Sequence, residues 1–573
     1  MQKKQTILVV ASLLVVVLSV TLAYFTAQII GKGKDVSVSS ADLKIVFTDT
    51  DGNIEGNDIT PGWSNSKTFT VKNESNGTYK YDIIIKDLVN TFKTYKYLQY
   101  KITSTDGGYN MTDYSYLPKS STKEDVALAY EVSIDKGKTH TYKIEIKYVN
   151  DEYVDQSIDM GQSLSGTIYI REFTKPTMKL TDKLMADNPT IGTRTTFTAF
   201  TETNTKRLYK ATEQIGTNPV KDVYYFAGDA KNNWVKFGKT KESPCTYKGK
   251  KVIFANMTNQ TTKTPENETE CTSTNICDAG ENGYAVGLTE SECSGIEGAK
   301  WITEKATWSE AKKDIYWRII RTNADGSIKL LYAGTSPDTE KAYIGMSAFN
   351  TTYNDPMYVG YKYGTTGSLE NNRLNTNNST IKTYVDNWYK NNLTAYTKYL
   401  SKDAVYCNDR NLASGQTYST TKAFDYATYP RIENEQPTYN CTNMSDAFSV
   451  NNTSAKLDYP VGLMSIDELS YAGGEADKSL TAPYAWYYTN ANGESITGSA
   501  RSWALSPGLL NRSSSLVWFV YGSDDPGCLG ISVVRSRLAV RPSVSLLSCN
   551  LISRGNGSPE NPYEIYTGNG VCE

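Results

Sequence analysis

The stretch YPVGLMSIDELSYAGG, residues 459–474, places two adjacent acids in an otherwise apolar segment. Ser465 lies three residues before Glu468, which is the spacing of a capping box at the start of a helix. Asp467 falls in the same first turn, where the helix dipole favours a negative charge. We therefore interpret the stretch as a strand-to-helix junction that ends at Gly473, rather than as a catalytic carboxylate pair.

This interpretation makes two predictions about stability. Adjacent residues of an α-helix project about 100° apart, so Asp467 and Glu468 could not easily share one reacting atom. Glu468→Gln should then cost little. Ser465→Ala should lower stability by about 1 kcal/mol, because a helix cap is lost.

The N-terminal residues of the chain have the pattern of an export signal. Lys3 and Lys4 precede an uncharged, largely apolar run over residues 7–30. Small residues near Ala23 fit a cleavage site, but the run is also long enough to cross about 30 Å of hydrocarbon as an uncleaved anchor. We assign residues 1–30 to a signal peptide or N-terminal anchor. The remainder is expected to be extracellular, with membrane contact only through this segment.

Charge and composition exclude several classes of function. The chain has 573 residues, 60 basic and 62 acidic, so the formal net charge is -2. No basic face is available for a phosphate backbone, and no nucleic-acid partner is expected. The single histidine excludes metal or relay sites that need two imidazoles, and the sequence has no dinucleotide-binding, P-loop or GxSxG motif. No catalytic residue and no cofactor is predicted.

Nine cysteines in an exported chain predict disulfides. No two of them have CxxC spacing, which excludes a zinc ribbon or a thioredoxin-type motif. We expect pairing within local groups and one unpaired thiol. The groups are Cys245, Cys271, Cys277 and Cys293; Cys407 with Cys441; and two of Cys528, Cys549 and Cys572.

Residues 31–173 carry the pattern of an all-β domain. Runs such as KTFTVKN, TYKYDIIIKDL and THTYKIEIKYVN alternate with period two between Gly, Asn and Ser clusters. Several such strands predict a β-sandwich. His140 begins one of these strands and shares its face with Tyr142 and Ile144, so we interpret it as a structural histidine.

These N-terminal motifs resemble the TasA/camelysin group of secreted Gram-positive proteins. The resemblance covers about residues 1–172 and rests on LAYFTAQ, DVSVSSADLKIVFTD and ITPGWSNSKTFTVKNESNGTYKYDIII. It implies a jelly-roll-like sandwich at the cell surface and possible self-association into matrix fibres. Camelysin has been described as a metallopeptidase, but this chain lacks an HExxH motif, so that activity is not implied.

The rest of the chain divides into a linker and a mixed α+β domain. Residues 174–220 are Thr-rich and weakly patterned, which predicts a linker with a short helix near 178–185. Residues 221–566 form the α+β domain, and its stretch NNSTIKTYVDNWYKNNL predicts a helix. A Cys-rich insertion at 242–312 is predicted to be a knob too short for its own core. Residues 567–573 are assigned to a tail.

Ordered motifs in this region resemble an uncharacterised extracellular domain of gut Gram-positive bacteria. They are WRII, CNDR, YPVGL-x-x-DE-x-x-YAGG, W-x-x-SP and V-RP, over about residues 221–566. The last two are also similar to motifs of C-type-lectin-like and formylglycine-generating-enzyme-like folds. The resemblance implies a C-type-lectin-like domain with a disulfide-rich insertion and supplies no activity.

Two stretches are candidate binding sites. The first has calcium-type oxygen ligands on alternate residues, namely Asp49, Asp51, Asn53 and Glu55. Its glycine stands at the fourth position instead of the sixth, which favours a solvated hairpin loop. The second, APYAWYYTNANGE, could present the rings of Trp486, Tyr487 and Tyr488 to a ligand. The alternative is a strand that packs Trp486 and Tyr488 inward before an Asn-Gly turn.

Together these features predict an exported cell-surface or extracellular-matrix protein without enzymatic activity. Its lectin-like domain would bind an extracellular glycan or protein ligand in adhesion. One alternative is a structural fibre subunit that assembles through its β-sandwich. Another is a glycan-active enzyme, which would need two carboxylates about 5 to 10 Å apart in a cleft.

Overall fold

The computed structural model divides the chain into two compact units, Met1–Lys175 and Pro176–Glu573. From residue 59 onward it describes most of the residues. The gaps after residue 59 are 112–113, 153, 205, 242–244, 249, 257–260, 264, 266–267, 281–282, 309–311, 569 and 573. Before residue 59 it describes the backbone of four strands. No helix in the described part of the chain is long and apolar enough to span a membrane. Residues 1–26, most of the predicted signal or anchor, lie outside the described residues.

The first unit consists of strands, numbered in chain order. They are β1 (Ala27–Ile29), β2 (Val36–Ser40), β3 (Leu43–Asp49), β4 (Ile54–Gly56), β5 (Ser64–Asn73), β6 (Tyr79–Asn90), β7 (Leu98–Ser104), β8 (Ser115–Tyr116), β9 (Ser120–Ile134), β10 (Thr139–Tyr148) and β11 (Leu164–Glu172). They form two sheets, in the orders β4-β1-β11-β6-β9 and β2-β3-β5-β10-β7-β8. Strand β1 pairs with β4 and β11, so the last residues of the predicted export segment belong to the first sheet.

The two sheets of the first unit share one hydrophobic core. Phe69 and Ile144 from one sheet and Ile83 and Ile168 from the other are at most 1% exposed and belong to the same cluster. Strand β7 alternates buried and half-buried residues along its whole length, which is the period-two pattern of a strand with one buried face.

A ten-stranded sheet forms the centre of the second unit. Its strands in the described residues are β12 (Thr190–Thr193), β14 (Arg207–Glu213), β15 (Lys221–Tyr225), β17 (Trp234–Lys241), β25 (Lys312–Thr322), β26 (Ile328–Tyr332), β33 (Gly462–Leu463), β38 (Pro542–Leu546), β39 (Ile552–Arg554) and β40 (Tyr563–Ile565). Along the main path the order is β12-β14-β15-β25-β17-β40-β39, and β38 joins β26 to β33. Strands β25 and β26 form an antiparallel hairpin around the Asn-Ala-Asp-Gly turn of residues 323–326.

Residues 174–220 differ from the predicted linker. Helix α1 (Leu180–Asp187) lies near the predicted helix. Strand β12 then pairs parallel to β14, and β14 pairs with β15, so the segment is part of the sheet. Strand β12 is mostly exposed at the sheet edge, so burial imposes no clear alternation on its sequence. The predicted tail is also held in place, because Cys572 forms a disulfide with Cys549.

The insertion at 242–312 has its own sheet and its own cores, contrary to the prediction of a knob without a core. Its elements are β18 (Cys245–Tyr247), β19 (Lys250–Asn256), β20 (Thr261–Lys263), α2 (Glu268–Cys271), β21 (Ile276–Asp278), β22 (Tyr284–Val286), α3 (Glu290–Ser294), β23 (Lys300–Ile302) and β24 (Thr307–Trp308). One hydrophobic cluster contains Cys245 and Cys271, and another contains Cys277 and Cys293. Each core is small, but each contains a buried disulfide.

The remaining elements complete the second unit. A six-stranded sheet contains β27 (Met346–Ser347), β31 (Phe424–Asp425), β34 (Ser502–Asn511), β35 (Ser514–Val520), β36 (Leu529–Val533) and β37 (Leu538–Ala539). Small two-stranded pairs are β13 (Thr203–Asn204) with β16 (Asp229–Ala230), β28 (Lys362–Tyr363) with β29 (Asn377–Asn378), and β30 (Tyr406–Cys407) with β32 (Ala447–Phe448). The other helices are α4 (Leu369–Asn372), α5 (Thr380–Asn392), α6 (Thr428–Glu433) and α7 (Ile466–Ala472). Short 3-10 helices span Pro356–Val359, Thr394–Tyr399 and Thr453–Ala455 in this unit, and Tyr95–Tyr97 and Gln156–Asp159 in the first unit.

The predicted local disulfide groups are confirmed. Cys407 pairs with Cys441, and the four cysteines of the insertion pair among themselves. Of the last three cysteines, Cys549 and Cys572 form the bridge and Cys528 is the buried free thiol. The chain is therefore a β-rich, multidomain protein with four disulfides among its described residues.

Candidate functional site

Helix α7 begins with a capping box at the predicted position. The hydroxyl of Ser465 accepts the backbone N–H of Glu468 at 3.2 Å, and the Glu468 carboxylate accepts the backbone N–H of Ser465 at 3.0 Å. Gly473 ends the helix with a φ of 119°, a left-handed conformation that favours glycine. The stretch that defines the domain is a strand-to-helix junction.

Glu468 also lies at the centre of a buried ionic network. Its Oε1 accepts from Nε of Arg321 at 3.0 Å and from Nζ of Lys329 at 2.7 Å. Arg321 in turn donates to Glu213 at 2.8 Å. All four residues are at most 3% exposed. Burial alone would raise the pKa of Glu468, but Lys329 and Arg321 together lower it below its ordinary value.

Asp467 belongs to a second network on the other side of the helix start. Arg431 donates from Nε and Nη2 to the two carboxylate oxygens of Asp467, at 2.8 and 2.9 Å. The same guanidinium donates to Asp409 at 3.0 Å, and Thr438 N–H donates to Asp467 at 3.0 Å. Bidentate arginine pairs of this kind fix orientation as well as charge. Both acids thus have partners that their positions in the helix did not predict.

The space between the two networks is too small for a substrate. A cavity of about 20 Å³ is lined by Arg321, Arg431, Asp467 and Glu468, together with Cys407. A volume of this size holds about one water molecule. Because the two carboxylates are buried and paired with different cations, they support the fold instead of forming a catalytic pair.

The CNDR motif is also part of this framework. Asn408 donates to the Val359 and Leu505 carbonyls at 3.2 and 2.7 Å. Arg410 is 1% exposed and donates to Asp446 at 2.7 Å. The motifs that carry the resemblance of this domain therefore describe its buried interior.

The predicted aromatic ligand site is buried in the free protein. Trp486 and Tyr487 are 0% exposed and Tyr488 is 6% exposed. The Trp486 indole N–H donates to the Phe226 carbonyl at 3.0 Å, and the Tyr487 hydroxyl donates to the Gly527 carbonyl at 2.6 Å. These rings are core residues. They lie in turns rather than in the strand that the sequence predicted.

The calcium candidate lies largely outside the described residues. Asp51 and Asn53 are not described, and only the backbone is described for Asp49 in β3 and Glu55 in β4. Among the residues that the structure does describe, no cluster of three or more His, Cys, Asp or Glu side chains could hold a metal ion.

His140 is a buried structural residue, as its strand position indicated. It is 5% exposed, and its Nδ1 lies 2.8 Å from the Tyr81 hydroxyl. The Tyr81 hydroxyl is also hydrogen-bonded to that of Tyr142. Burial lowers the pKa of His140, whereas Asp106 and Asp135 oppose this shift.

A groove of about 430 Å³ in the second unit is large enough for a ligand. Four segments of the chain form it, and none of the candidate binding residues of the sequence analysis lines it. The lining residues are Glu213, Ile215, Asn218, Pro219, Lys221, Asn323, Ala324, Asp325, Asp403, Ala404, Val405, Met444, Ser449, Asn451 and Asn452. Glu213 and Val405 also line the small cavity of the ionic networks, so the groove lies directly beside them.

Several bonds hold the groove segments together. The Cys407–Cys441 disulfide joins the segment around 405 to the segment around 444. Backbone N–H groups link the first and last segments, since Gly216 donates to the Cys441 carbonyl at 2.9 Å and Cys441 donates to the Gln214 carbonyl at 2.8 Å. Between neighbouring walls, the Asn451 amide donates to Asp403 at 2.8 Å.

Sequence reasoning missed the groove because its lining residues span 213–452 and share no motif. Two local signals did lie beside it, the Asn-Ala-Asp-Gly turn and the predicted Cys407–Cys441 pair. A turn and a disulfide indicate where loops are held, but they do not identify which distant loops meet.

Comparisons with known proteins add no assignment. No protein-family model and no curated protein matches the chain. One solved structure, described as "AvmM Catalyzes Macrocyclization in Alchivemycin A Biosynthesis", has a TM-score of 0.13 at 12% sequence identity. The alignment covers 26% of this chain and 100% of that chain. A likeness at this level carries no inference about fold or activity.

Proposed function

We propose that this protein is an exported, non-enzymatic surface protein that binds an extracellular ligand in the groove of its second unit. The observation that carries the proposal is the groove itself, because a concave site of about 430 Å³ is of the size that ligands occupy. Its walls belong to loops that a disulfide and backbone hydrogen bonds hold in place. Loops held on a rigid scaffold are common carriers of recognition.

The disulfides support an extracellular location. Eight of the nine cysteines are paired. Disulfides persist in oxidising surroundings and are rare in the cytosol. Together with the predicted export segment, they favour a secreted protein or one tethered to the cell surface.

The surroundings of the groove favour recognition over catalysis. Asp325 accepts from the Ser401 hydroxyl at 2.6 Å, Asp403 accepts from Asn451, and Glu213 is paired with Arg321. A general acid or nucleophile needs a carboxylate available to the reacting atom. These carboxylates are instead held by neighbouring donors.

The finer fold assignments are part of the same proposal. We infer a jelly-roll-like first unit of the TasA/camelysin type and a C-type-lectin-like second unit. Two sheets with a shared core support the first assignment. The mixed strands and helices around a ten-stranded sheet support the second.

One observation favours a second role as a self-assembling subunit. In the first unit, Val154, Ile158 and Met160 are exposed at 36%, 44% and 73%. Val154 and Met160 also line a groove of about 410 Å³. Met160→Asp should therefore reduce any concentration-dependent fibre growth that the wild type shows in electron micrographs; unchanged growth would contradict this role.

Arrays of extracellular-matrix proteins and glycans test the main proposal. The purified, oxidised protein is compared with two variants. Asn451→Lys places a long cation on the groove wall, and Asn511→Lys changes an exposed residue at the end of β34. Wild type and Asn511→Lys should bind the same array members, whereas Asn451→Lys should lose at least tenfold in affinity. Absence of binding, or equal binding by all three proteins, would overturn the proposal.

A further inference from the structure

We infer that the groove binds an extended peptide segment that carries a lysine or arginine next to an aliphatic side chain. This inference rests on the proposed function, since it names the ligand class of the same site. It follows from the charge of the groove, its apolar surface and its carboxamides.

The charge of the groove favours a cationic ligand. Asp325 and Asp403 are exposed carboxylates whose donors, Ser401 and Asn451, are neutral, so these hydrogen bonds leave their negative charges uncompensated. Lys221 is the cationic residue among the described lining residues. The third acid, Glu213, is already compensated by Arg321 at 2.8 Å. The groove therefore has an acidic excess, which attracts a basic side chain and repels phosphorylated or acidic glycans.

The apolar surface of the groove is aliphatic. It comes from Ile215, Pro219, Ala324, Ala404, Val405 and Met444. The described lining includes no aromatic ring on which a sugar could stack. Met444 is 39% exposed, and its flexible thioether suits an aliphatic side chain of variable shape.

The carboxamides of the groove match a peptide backbone. An asparagine side chain carries both an acceptor and donors, as a peptide group does. The Asn452 amide is already engaged, since it donates to the Met444 and Ala447 carbonyls at 2.7 and 2.6 Å. Asn323 is 5% exposed, and its amide nitrogen donates to Ser327 and Ser545 at 2.8 and 3.1 Å. Its Oδ1 is buried without a hydrogen-bond donor among the described residues. Because this oxygen is buried, a ligand N–H would supply the missing donor only after the Asn323 side chain turns toward the groove.

The groove is also preorganised for binding. The Cys407–Cys441 disulfide and the Asn451–Asp403 hydrogen bond join its walls before a ligand arrives. Preorganisation reduces the entropy lost on binding. A short peptide can then bind with measurable affinity despite the modest size of the groove.

Fluorescein-labelled hexapeptide pools test the ligand class. Each pool has one position fixed as Lys, Arg, Leu or Glu and the others randomised, and binding to the oxidised protein is followed by anisotropy. The Lys and Arg pools should bind at least tenfold more tightly than the Glu pool, with the difference shrinking at high salt. Equal affinity for the Glu and Lys pools would overturn the inference.

Substitutions at Asp403 test whether the peptide binds in the groove. Asp403→Asn should weaken binding of the Lys pool by about threefold to tenfold, and Asp403→Lys should abolish it, because the attractive charge is removed or reversed. Asp524→Asn and Asp524→Lys are matched controls at an exposed carboxylate outside the groove, and should bind as the wild type does. Unchanged circular dichroism and melting temperature ensure that the Asp403 variants are folded. Equal loss at both positions would contradict the assigned site.

Failure of this inference is distinguishable from failure of the proposed function. If a neutral glycan binds the wild type and is lost in Asn451→Lys while no peptide pool binds, the groove function stands and the peptide class is wrong. If neither peptide pools nor array members bind, both are wrong.

Discussion

Asp467 and Glu468 are neighbours in the chain but pair with different arginines, Asp467 with Arg431 at 2.8 Å and Glu468 with Arg321 at 3.0 Å. Helix geometry separates the two carboxylates, and each joins a different buried network. The start of helix α7 therefore connects the strand that carries Arg321 with the helix that carries Arg431. Because of this connection, Glu468 contributes more to the stability of the second unit than a helix cap alone would.

Glu468→Gln should destabilise the second unit by about 3 to 5 kcal/mol, contrary to the small cost that the capping box alone implies. The change removes the negative charge that Arg321 and Lys329 contact, and breaking a buried ion pair leaves an uncompensated charge. Ser465→Ala should cost only about 1 kcal/mol, because it removes a cap. Urea denaturation followed by circular dichroism measures both changes. The exposed Asp524→Asn serves as the control, and a Glu468→Gln midpoint equal to that of Ser465→Ala would contradict this ranking.

Trp486→Ala should lower the free energy of unfolding by about 3 to 5 kcal/mol, because a fully buried indole leaves a cavity. The half-buried Tyr484 in the same segment is the matched control, and Tyr484→Ala should cost clearly less. Thermal melts of both variants measure the difference. A stable Trp486→Ala protein that has lost ligand binding would restore the interpretation of this ring as a binding residue.

The stability of the first unit should fall as the pH drops from about 7.5 through 6.5 to 5.5. Burial lowers the pKa of His140, so the unfolded chain takes up a proton in this range before the folded unit does. Protonation therefore favours unfolding. His140 is the single histidine of the sequence, so His140→Gln should flatten this slope. Urea midpoints at the three pH values provide the measurement, and an unchanged slope in His140→Gln would refute the assignment.

The Cys528 thiol should not react with thiol reagents in the folded protein. It is 1% exposed, and burial raises the pKa of its thiol to about 12, so little reactive thiolate forms at neutral pH. Ellman's reagent should detect no thiol in native buffer and one thiol per chain in guanidinium without reductant. Cys528→Ala should give none in either condition. More than one thiol in denaturant would mean that one of the four bridges is open.

Local chemistry made part of this architecture predictable. Ser379 caps helix α5, and Ile381, Val385 and Tyr389 are buried on one face of it, as their spacing indicated. Ser465 and Glu468 form their capping box because both partners lie within one turn. Features of this kind depend on residues a few positions apart, so one sequence suffices to find them.

Contacts between distant residues could not be predicted in the same way. Arg321 and Glu468 are 147 positions apart, and Arg321 and Glu213 are 108 apart. Many charged residues in the sequence could have formed such pairs, and only the packed sheet selects among them. The groove has the same origin, since the pairing of β14, β15, β25 and β26 brings together two of its four segments, residues 213–221 and 323–325.

The Cys-rich insertion begins and ends at paired positions of one hairpin. Lys241, the last residue of β17, lies opposite Lys312, the first residue of β25. A two-residue Asn-Gly turn could therefore close β17 directly onto β25, with residues 242–311 deleted. The insertion can therefore be replaced by another sequence that joins the same two strand ends. A reporter or a foreign epitope could be displayed at this position without redesign of the sheet that carries the groove.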